Sequence, residues 1–204
     1  MRLHTQTWHV QTQMQEKVGQ NVDARWAKLA SRAVRVALAR QDVSYVQLAN
    51  ELTRLGVRES ARSVEGKVQR GTFRFSFFLQ ALVASRADSP AAWSRVLKER
   101  GTWESRATAV IKHALAEQAW LDWQQLAQRL AEIGVEMQPE ALSAQVDDGT
   151  FSAALFFQCA AVCRFAGTNL FLDISSLNTA ALAGKPPEWK GILSGPLHKS
   201  TEGL

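Results

Sequence analysis

The chain has few of the residues that build metal sites, disulfide frameworks or catalytic centres. Among 204 residues it has two cysteines and four histidines. Cys159 and Cys163 lie four apart in an apolar helical pattern with no histidine at ligand spacing, so we expect both to be small core residues. The histidines are scattered, and the sequence has no Ser-His-acid spacing and no glycine-rich phosphate loop. We therefore expect neither an enzyme, nor a metal site, nor a bound cofactor.

Long apolar runs are also missing. No uninterrupted stretch reaches the roughly 18 apolar residues that a membrane-spanning helix needs, and the N-terminal MRLHTQTWHVQTQMQ is too polar for a signal peptide. With 46% apolar residues the chain can still form a core, and its length suits one domain or two small ones. We expect a cytoplasmic protein without membrane association. The net charge of +5 favours an anionic partner only weakly.

The sequence contains one internal duplication. KVQRGTFRFSFFLQ at residues 67–80 returns as AQVDDGTFSAALFFQ at residues 144–158. Trp26 matches Trp103 at an offset of 77 residues, and after one inserted residue the offset becomes 78. Identities at the second offset include Leu48, Gly56, Gly71, Thr72, Phe73 and Phe78, which match Leu126, Gly134, Gly149, Thr150, Phe151 and Phe156. We expect two tandem domains, residues 24–100 and residues 101–167, which are called repeat 1 and repeat 2 below.

Both repeats are predicted to be all-α. Apolar residues at helical spacing predict a first helix over residues 24–40. Its solvent side carries Lys28, Arg32, Arg35 and Arg40. Capping boxes at Ser44 and Asp122 begin a second helix that buries, in repeat 1, Leu48, Ala49, Leu52 and Leu55. Gly56 and Gly134 end it.

Two shorter helices complete each bundle. A third helix is expected over about residues 61–70, because Pro139 marks the equivalent start in repeat 2. Thr72 or Thr150 can cap a fourth helix, and Ser89-Pro90 predicts a fifth helix ending near Lys98. Two helices joined at a glycine, with another packed across them, describe a helix-turn-helix.

The terminal segments, residues 1–23 and 168–204, contain the only strand candidates. Residues 7–12 alternate polar and apolar side chains, and residues 170–174, Leu-Phe-Leu-Asp-Ile, are mostly apolar. These two segments could pair as a small β-hairpin. The tail from Gly184 is rich in proline and glycine and is expected to be a loop.

The third helix of repeat 1 has a basic outward face. Val64 and Val68 point inward, which leaves the other side to polar and basic residues. Arginine can pair with guanine or phosphate and glutamine can read adenine, so this face could contact DNA. The candidate nucleic-acid-binding residues are Arg58, Arg62, Ser63, Lys67, Gln69, Arg70 and Arg74. Solubilising charges on an exposed helix are the alternative explanation.

Repeat 2 is an internal control, because its buried positions persist while the outward face changes sign. Glu140, Asp147 and Asp148 replace Arg62, Gln69 and Arg70. Eleven basic and four acidic residues give residues 26–86 a formal charge of +7, whereas four basic and eight acidic residues give residues 103–164 a charge of −4. Phosphates would repel that acidic face, so we assign these three residues to partner binding.

Two families share these motifs. Gln47-Leu48-Ala49, Gly56 and Gln69-Arg70-Gly71 resemble the lambda-repressor-like helix-turn-helix class, which implies sequence-specific DNA binding. The W-x-x-x-A, LA-x-x-L-x-x-x-G and RGTF-then-FF-x-Q patterns are more similar to a small bacterial domain-of-unknown-function family, number six-four-seven-one. That family has no established function, and the resemblance implies the fold.

Two functions remain open at this point. In the first, the protein is a bacterial transcriptional regulator that binds double-stranded DNA through repeat 1, with repeat 2 serving dimerisation or partner binding. Domains of about 60 residues are marginally stable, so the repeats should pack together or form a dimer, and paired half-sites favour a homodimer. In the second, the chain is a protein-interaction module, such as an antitoxin-like or immunity-like adaptor, whose acidic repeat binds a basic protein.

Overall fold

The computed structural model describes residues 4–118 and 120–185, with side chains described from residue 21 onward. Over these residues the chain forms ten α-helices and one 3₁₀ helix, Thr168–Leu170. The α-helices are α1 (His4–Arg40), α2 (Tyr45–Arg54), α3 (Ala61–Arg70), α4 (Phe75–Ser85), α5 (Ala91–Lys98), α6 (Trp103–Ala116), α7 (Trp123–Ala131), α8 (Pro139–Asp147), α9 (Ala153–Cys163) and α10 (Ile174–Gly184). The all-α prediction is confirmed, and no helix in the described part is long and apolar enough to cross a membrane.

The expected β-hairpin is wrong. Residues 7–12 lie inside α1, whose 37 residues give it a length of about 55 Å. Residues 170–174 run from the end of the 3₁₀ helix through a turn into α10. Phe171 and Leu172 are both buried there, whereas Ile174 is 64% exposed. The run is therefore a buried link followed by a helix start, and the tail beyond residue 185 lies outside the described residues.

The helix starts follow only some of the predictions, since α1 begins at His4 rather than at residue 24, and α5 begins at Ala91 after Pro90 without a side-chain cap. The Ser44 and Asp122 capping boxes both form, and Pro139 is the first residue of α8. Thr72 and Thr150, however, do not cap the fourth helices, because α4 begins after Arg74 and α9 begins after Ser152. The hydroxyl oxygen of Ser152 accepts a hydrogen bond from the Leu155 amide at 3.0 Å. Each fourth helix therefore starts about two residues later than the threonine suggests.

The core residues of repeat 1 are largely those expected from the sequence. Leu48, Leu52, Val64 and Val68 have no exposed surface. Leu55 is an exception, since it follows the end of α2 and is 38% exposed. Cys159 and Cys163 are buried free thiols on α9, as predicted.

The two repeats pack together with an approximate twofold relationship. The first helix of each repeat contacts the fourth helix of the other, so α1 packs on α9 and α6 packs on α4. The helices that follow repeat this exchange, because α10 contacts α1 and α5 contacts α6. In a twofold-symmetric interface the same patches meet reciprocally, and the repeats reproduce that arrangement within one chain.

Aromatic rings from both repeats fill the interface. Phe75 stacks on Phe156 with ring centroids 4.0 Å apart and an interplanar angle of 15°. Phe78 contacts Phe157 edge to face at 5.6 Å, and Trp93 contacts Phe156 at 5.5 Å. Such pairs add to the stabilisation that comes from area burial alone. The repeats therefore share one core, as the marginal size of a single repeat led us to expect.

A glycine holds the end of the third helix close to the first helix in both repeats. Gly71 has φ +71°, and a Cβ atom there would lie 1.8 Å from the Ala27 carbonyl oxygen. The equivalent Gly149 has φ +65°, and its Cβ would lie 2.2 Å from the Glu104 oxygen. Both the left-handed backbone and the close approach require glycine. This explains why the duplicated phrase keeps its glycine.

Two of the basic residues assigned to the solvent side of α1 also bind the C-terminal helices. The Arg32 guanidinium donates hydrogen bonds to Asp173 at 2.9 Å and to the Ser176 hydroxyl at 3.0 Å. Arg40 donates to the Leu170 carbonyl oxygen. These contacts attach α10 and the 3₁₀ helix to α1, and all four basic residues, Lys28, Arg32, Arg35 and Arg40, remain exposed as predicted.

Candidate nucleic-acid interface

The local structure of α3 presents a polar surface on a rigid base. The Ser60 hydroxyl oxygen accepts a hydrogen bond from the Ser63 amide at 3.2 Å and caps the helix. Val64 and Val68 anchor the inner side in the core. Because the buried stripe is this narrow, the outward positions project into solvent. Those exposed residues are Arg62, Ser63, Glu65, Gln69 and Arg70.

Four arginines surround this surface, and all four are exposed. Arg62 and Arg70 lie on α3, Arg58 precedes it, and Arg74 follows it. None of the four forms an ion pair within the described residues. We call this set the basic face. It provides unpaired guanidinium groups that can bind phosphate oxygens bidentately.

Arg70 lies over the glycine within α3. A Cβ atom at Gly66 would lie 3.2 Å from one guanidinium nitrogen of Arg70, so the side chain of Arg70 folds back over Gly66. The small residue leaves room for this conformation. The guanidinium is therefore held along the outer surface of the helix near its middle.

Two of the predicted DNA-contact residues, Lys67 and Ser63, have partners within the protein. The Lys67 ammonium pairs with Glu59, and both side chains are less than one-third exposed, at 29% and 17%. Lys67 also lies 4.6 Å from the centre of the Phe77 ring. The Ser63 hydroxyl donates to the other Glu59 oxygen at 3.1 Å. Lys67 and Ser63 thus join the segment before α3 to the helix itself, and Glu59 is a residue that sequence reasoning missed.

Gln69 is exposed but interacts with a neighbour on the same helix. Its side-chain amide donates a hydrogen bond to Glu65 Oε1 at 3.1 Å. An exposed bond of this kind contributes little and can be exchanged for a bond to a ligand. Gln69 therefore stays available for contact, while Glu65 supplies the one acidic group on this side of α3.

The equivalent face of repeat 2 is acidic, and one of its carboxylates is paired. Asp147 Oδ1 lies 2.6 Å from the Lys112 ammonium of α6, and both side chains are half exposed. The hydrogen bond from Lys112 lowers the pKa of Asp147 from its ordinary value, with support from the Ser143 hydroxyl. Glu140 and Asp148 are exposed and form no ion pair within the described residues. Of the three predicted partner-binding residues, two remain unpaired.

An open groove of about 460 Å³ lies beside the Lys112–Asp147 pair. Leu115, Leu121 and Trp123 contribute apolar surface to its walls, together with the polar end of α7. The groove therefore joins apolar walls to the acidic end of α8. Nothing in the sequence pattern indicated it, because it depends on how α6, α7 and α8 meet.

Comparison with known proteins gives one family. The family described as Domain of unknown function (DUF6471) matches the chain twice, over residues 26–89 and 103–166. No curated protein and no solved structure matches. The first matched segment contains the C-terminal part of α1 and all of α2, α3 and α4, and the second contains α6, α7, α8 and α9. The chain therefore belongs to the DUF6471 family and contains two tandem copies of its domain.

Proposed function

We propose that this protein is a DNA-binding regulator that contacts double-stranded DNA through the basic face of repeat 1. The observation that carries the proposal is the contrast between two equivalent helices. Arg62 and Arg70 on α3 are exposed and unpaired among the described residues, whereas the equivalent positions of repeat 2 are Glu140 on α8 and Asp148 directly after it. A packing requirement common to both repeats cannot explain this reversal, because all four side chains lie outside the core.

The helix-turn-helix arrangement supports the same function. α2 and α3 pack on each other and on α4 or α1, so α3 is held on a rigid scaffold with its polar side free. The resemblance of the Gln47-Leu48-Ala49 and Arg70-Gly71 motifs to lambda-repressor-like domains points the same way. Phosphate contacts from Arg58 and Arg74 would position the helix, and Arg62, Gln69 and Arg70 would be closest to the bases.

Fluorescence anisotropy with a labelled random-sequence duplex over a salt series tests the proposal. We expect salt-sensitive binding, because each neutralised phosphate releases counterions. The double variant Arg62→Ala/Arg70→Ala should lose at least about tenfold in affinity and flatten the salt dependence by about two contacts.

The matched control is Glu140→Ala/Asp148→Ala, which changes the equivalent positions of repeat 2. We expect this variant to bind DNA at least as tightly as the unaltered protein. Failure of the folded, unaltered protein to bind any duplex at low salt would refute the proposal.

The assembly and setting are part of the same proposal. One chain has one basic third helix, so a homodimer would be required to read two DNA half-sites. The proposed setting of this regulator is the bacterial cytoplasm. Stability alone gives no reason for such a dimer, since the two repeats already share a core. Light scattering of the free protein and of the DNA complex measures which form binds.

Binding of a basic protein is a second candidate function, and the groove beside α8 favours it. The groove has apolar walls and the carboxylates of Asp122 and Asp147, and the exposed Asp148 follows Asp147 in the chain. This combination suits a partner with both apolar and basic side chains, which would compete with Lys112 for Asp147. Co-purification of a basic protein that is lost on Glu140→Ala/Asp148→Ala, without associated nucleic acid, would favour this function over DNA binding.

A further inference from the structure

Repeat 2 shows how far a long basic side chain of the first helix can reach. Lys112 on α6 extends to Asp147 at the end of α8, where their charged atoms are 2.6 Å apart. The equivalent helices of repeat 1, α1 and α3, also pack against each other. The position of Lys112 corresponds to Arg35 at the offset of 77, and that of Asp147 corresponds to Gln69 at the offset of 78. Arg35 therefore lies within reach of the C-terminal end of α3.

Arg35 itself is exposed and has no ion pair within the described residues. Its neighbours confirm its location. Burial raises the pKa of Tyr45 at the start of α2, the positive charge of Arg35 opposes that rise, and the negative charge of Glu65 adds to it. Arg35 on α1 and Glu65 on α3 are thus both near enough to Tyr45 on α2 to act on its hydroxyl group, which agrees with the packing of α1 and α2 on α3.

The residue at position 69 bears on whether the Arg35 guanidinium has an ion-pair partner. In repeat 2 the carboxylate at this position pairs with the basic residue of the first helix. In repeat 1 the neutral amide turns to Glu65 instead. Position 69 therefore supplies no counter-charge to Arg35, unlike Asp147, which pairs with Lys112 at the equivalent positions of repeat 2.

We infer that Arg35 is a phosphate-binding residue of the same interface as α3, and that the neutral Gln69 keeps its guanidinium available to DNA. The inference rests on the proposed DNA-binding function. It extends the interface from the helix-turn-helix onto α1, so that one bound phosphate would be held from the first helix.

The affinity test is a double-mutant cycle with the labelled duplex. Arg35→Ala should weaken binding about threefold to tenfold and remove about one phosphate contact from the salt slope. Gln69→Asp should weaken binding more in the unaltered protein than in the Arg35→Ala variant, because only the former has an arginine for the new carboxylate to occupy. Arg95→Ala is the control, since Arg95 is an equally charged residue on α5 with a 90% exposed side chain.

A second measurement separates geometry from binding. In Gln69→Asp, the pKa of the introduced carboxylate, followed by NMR, should be lower with Arg35 present than with Arg35→Ala. Equal pKa values in the two backgrounds would overturn the assigned contact. Unchanged DNA affinity in Arg35→Ala, together with lost affinity in Arg62→Ala/Arg70→Ala, would also overturn the role assigned to Arg35. The proposed DNA-binding function would not be affected by that result. If the unaltered protein binds no duplex, the proposed function and this inference both fail.

Discussion

Arg74 and Ser152, which occupy the same position in the two repeats, face each other in an isolated antiparallel bridge. The hydrogen bonds around them are reciprocal. The Phe75 amide donates to the Phe151 oxygen at 3.0 Å, and the Ala153 amide donates to the Phe73 oxygen at 2.9 Å. At the offset of 78 residues the donor Phe75 corresponds to the donor Ala153, and the acceptor Phe73 corresponds to the acceptor Phe151. The two bonds are therefore equivalent. The approximate twofold axis therefore passes through the duplicated phrase itself.

The shared core should make the two repeats unfold together. Phe75 has no exposed surface and contacts Phe151, Phe156 and Trp93. We expect Phe75→Ala to lower the free energy of unfolding by about 3–5 kcal/mol, because it removes a large buried ring. Urea denaturation followed by circular dichroism should show one cooperative transition at lower urea. Val46→Ala is the control, since Val46 is 60% exposed; two separate transitions would contradict the shared core.

Glycine substitutions can separate backbone strain from steric conflict. Gly56 and Gly71 both have positive φ, but a Cβ atom at Gly56 would have no atom within 4 Å whereas one at Gly71 would meet the Ala27 backbone. We expect Gly56→Ala to cost about 1–2 kcal/mol through the left-handed backbone alone. Gly71→Ala should cost distinctly more, as should Gly149→Ala. Similar unfolding free energies for Gly56→Ala and Gly71→Ala would show that α3 can move away from α1 at little cost.

Lys67 should affect stability more than DNA affinity. Its pairing with Glu59 and its contact with Phe77 hold the segment before α3 against α4. We expect Lys67→Ala to lower the free energy of unfolding by about 1 kcal/mol, since a partly buried ion pair and a cation–π contact are lost. Glu59→Gln should lose a similar amount, and the double variant should lose less than the sum. A large loss of DNA affinity with unchanged thermal stability would argue that Lys67 contacts DNA directly.

The two cysteines should be inert in the folded protein. Burial raises the pKa of Cys163 to about 11 and raises that of Cys159 further. A thiol-specific reagent at pH 8 should therefore react with neither until the protein unfolds, because thiolates are the reactive form. The unfolded state loses these protons near pH 8.5, so stability should be full below that pH and fall as the pH rises toward 11. Rapid labelling of the native protein would contradict this burial.

Local signals predicted most of each repeat, because the features that define it are local. The capping boxes at Ser44 and Asp122 depend on residues three apart, and the inward stripe of α3 depends on helical spacing. The run at residues 170–174 failed as a strand because a short segment with four apolar residues and Asp173 fits either structure. Only the tertiary packing of Phe171 against Phe78 and Trp93 decides it.

The candidate site was predicted less completely, since charge patterns do not show which charges are paired. The sequence predicted that Lys67, Arg62 and Arg70 lie on one helix, but only the structure shows that Lys67 forms an ion pair with Glu59. Arg35 was assigned to an unremarkable solvent face of the first helix. The inference that Arg35 lies near Gln69 depends on the Lys112–Asp147 contact at the equivalent positions of repeat 2.

The single covalent chain has a consequence for how this surface can change. In a symmetric homodimer every substitution occurs twice, so neither third helix can lose its arginines without the other. Here the duplicated helices are separate stretches of one chain, and a change at residue 148 leaves residue 70 untouched. The stacked Phe75 and Phe156, in contrast, are constrained by both halves at once. The outward residues of α3 and α8 can therefore change independently of each other. The aromatic residues between the repeats cannot, because each ring contacts rings of the other repeat.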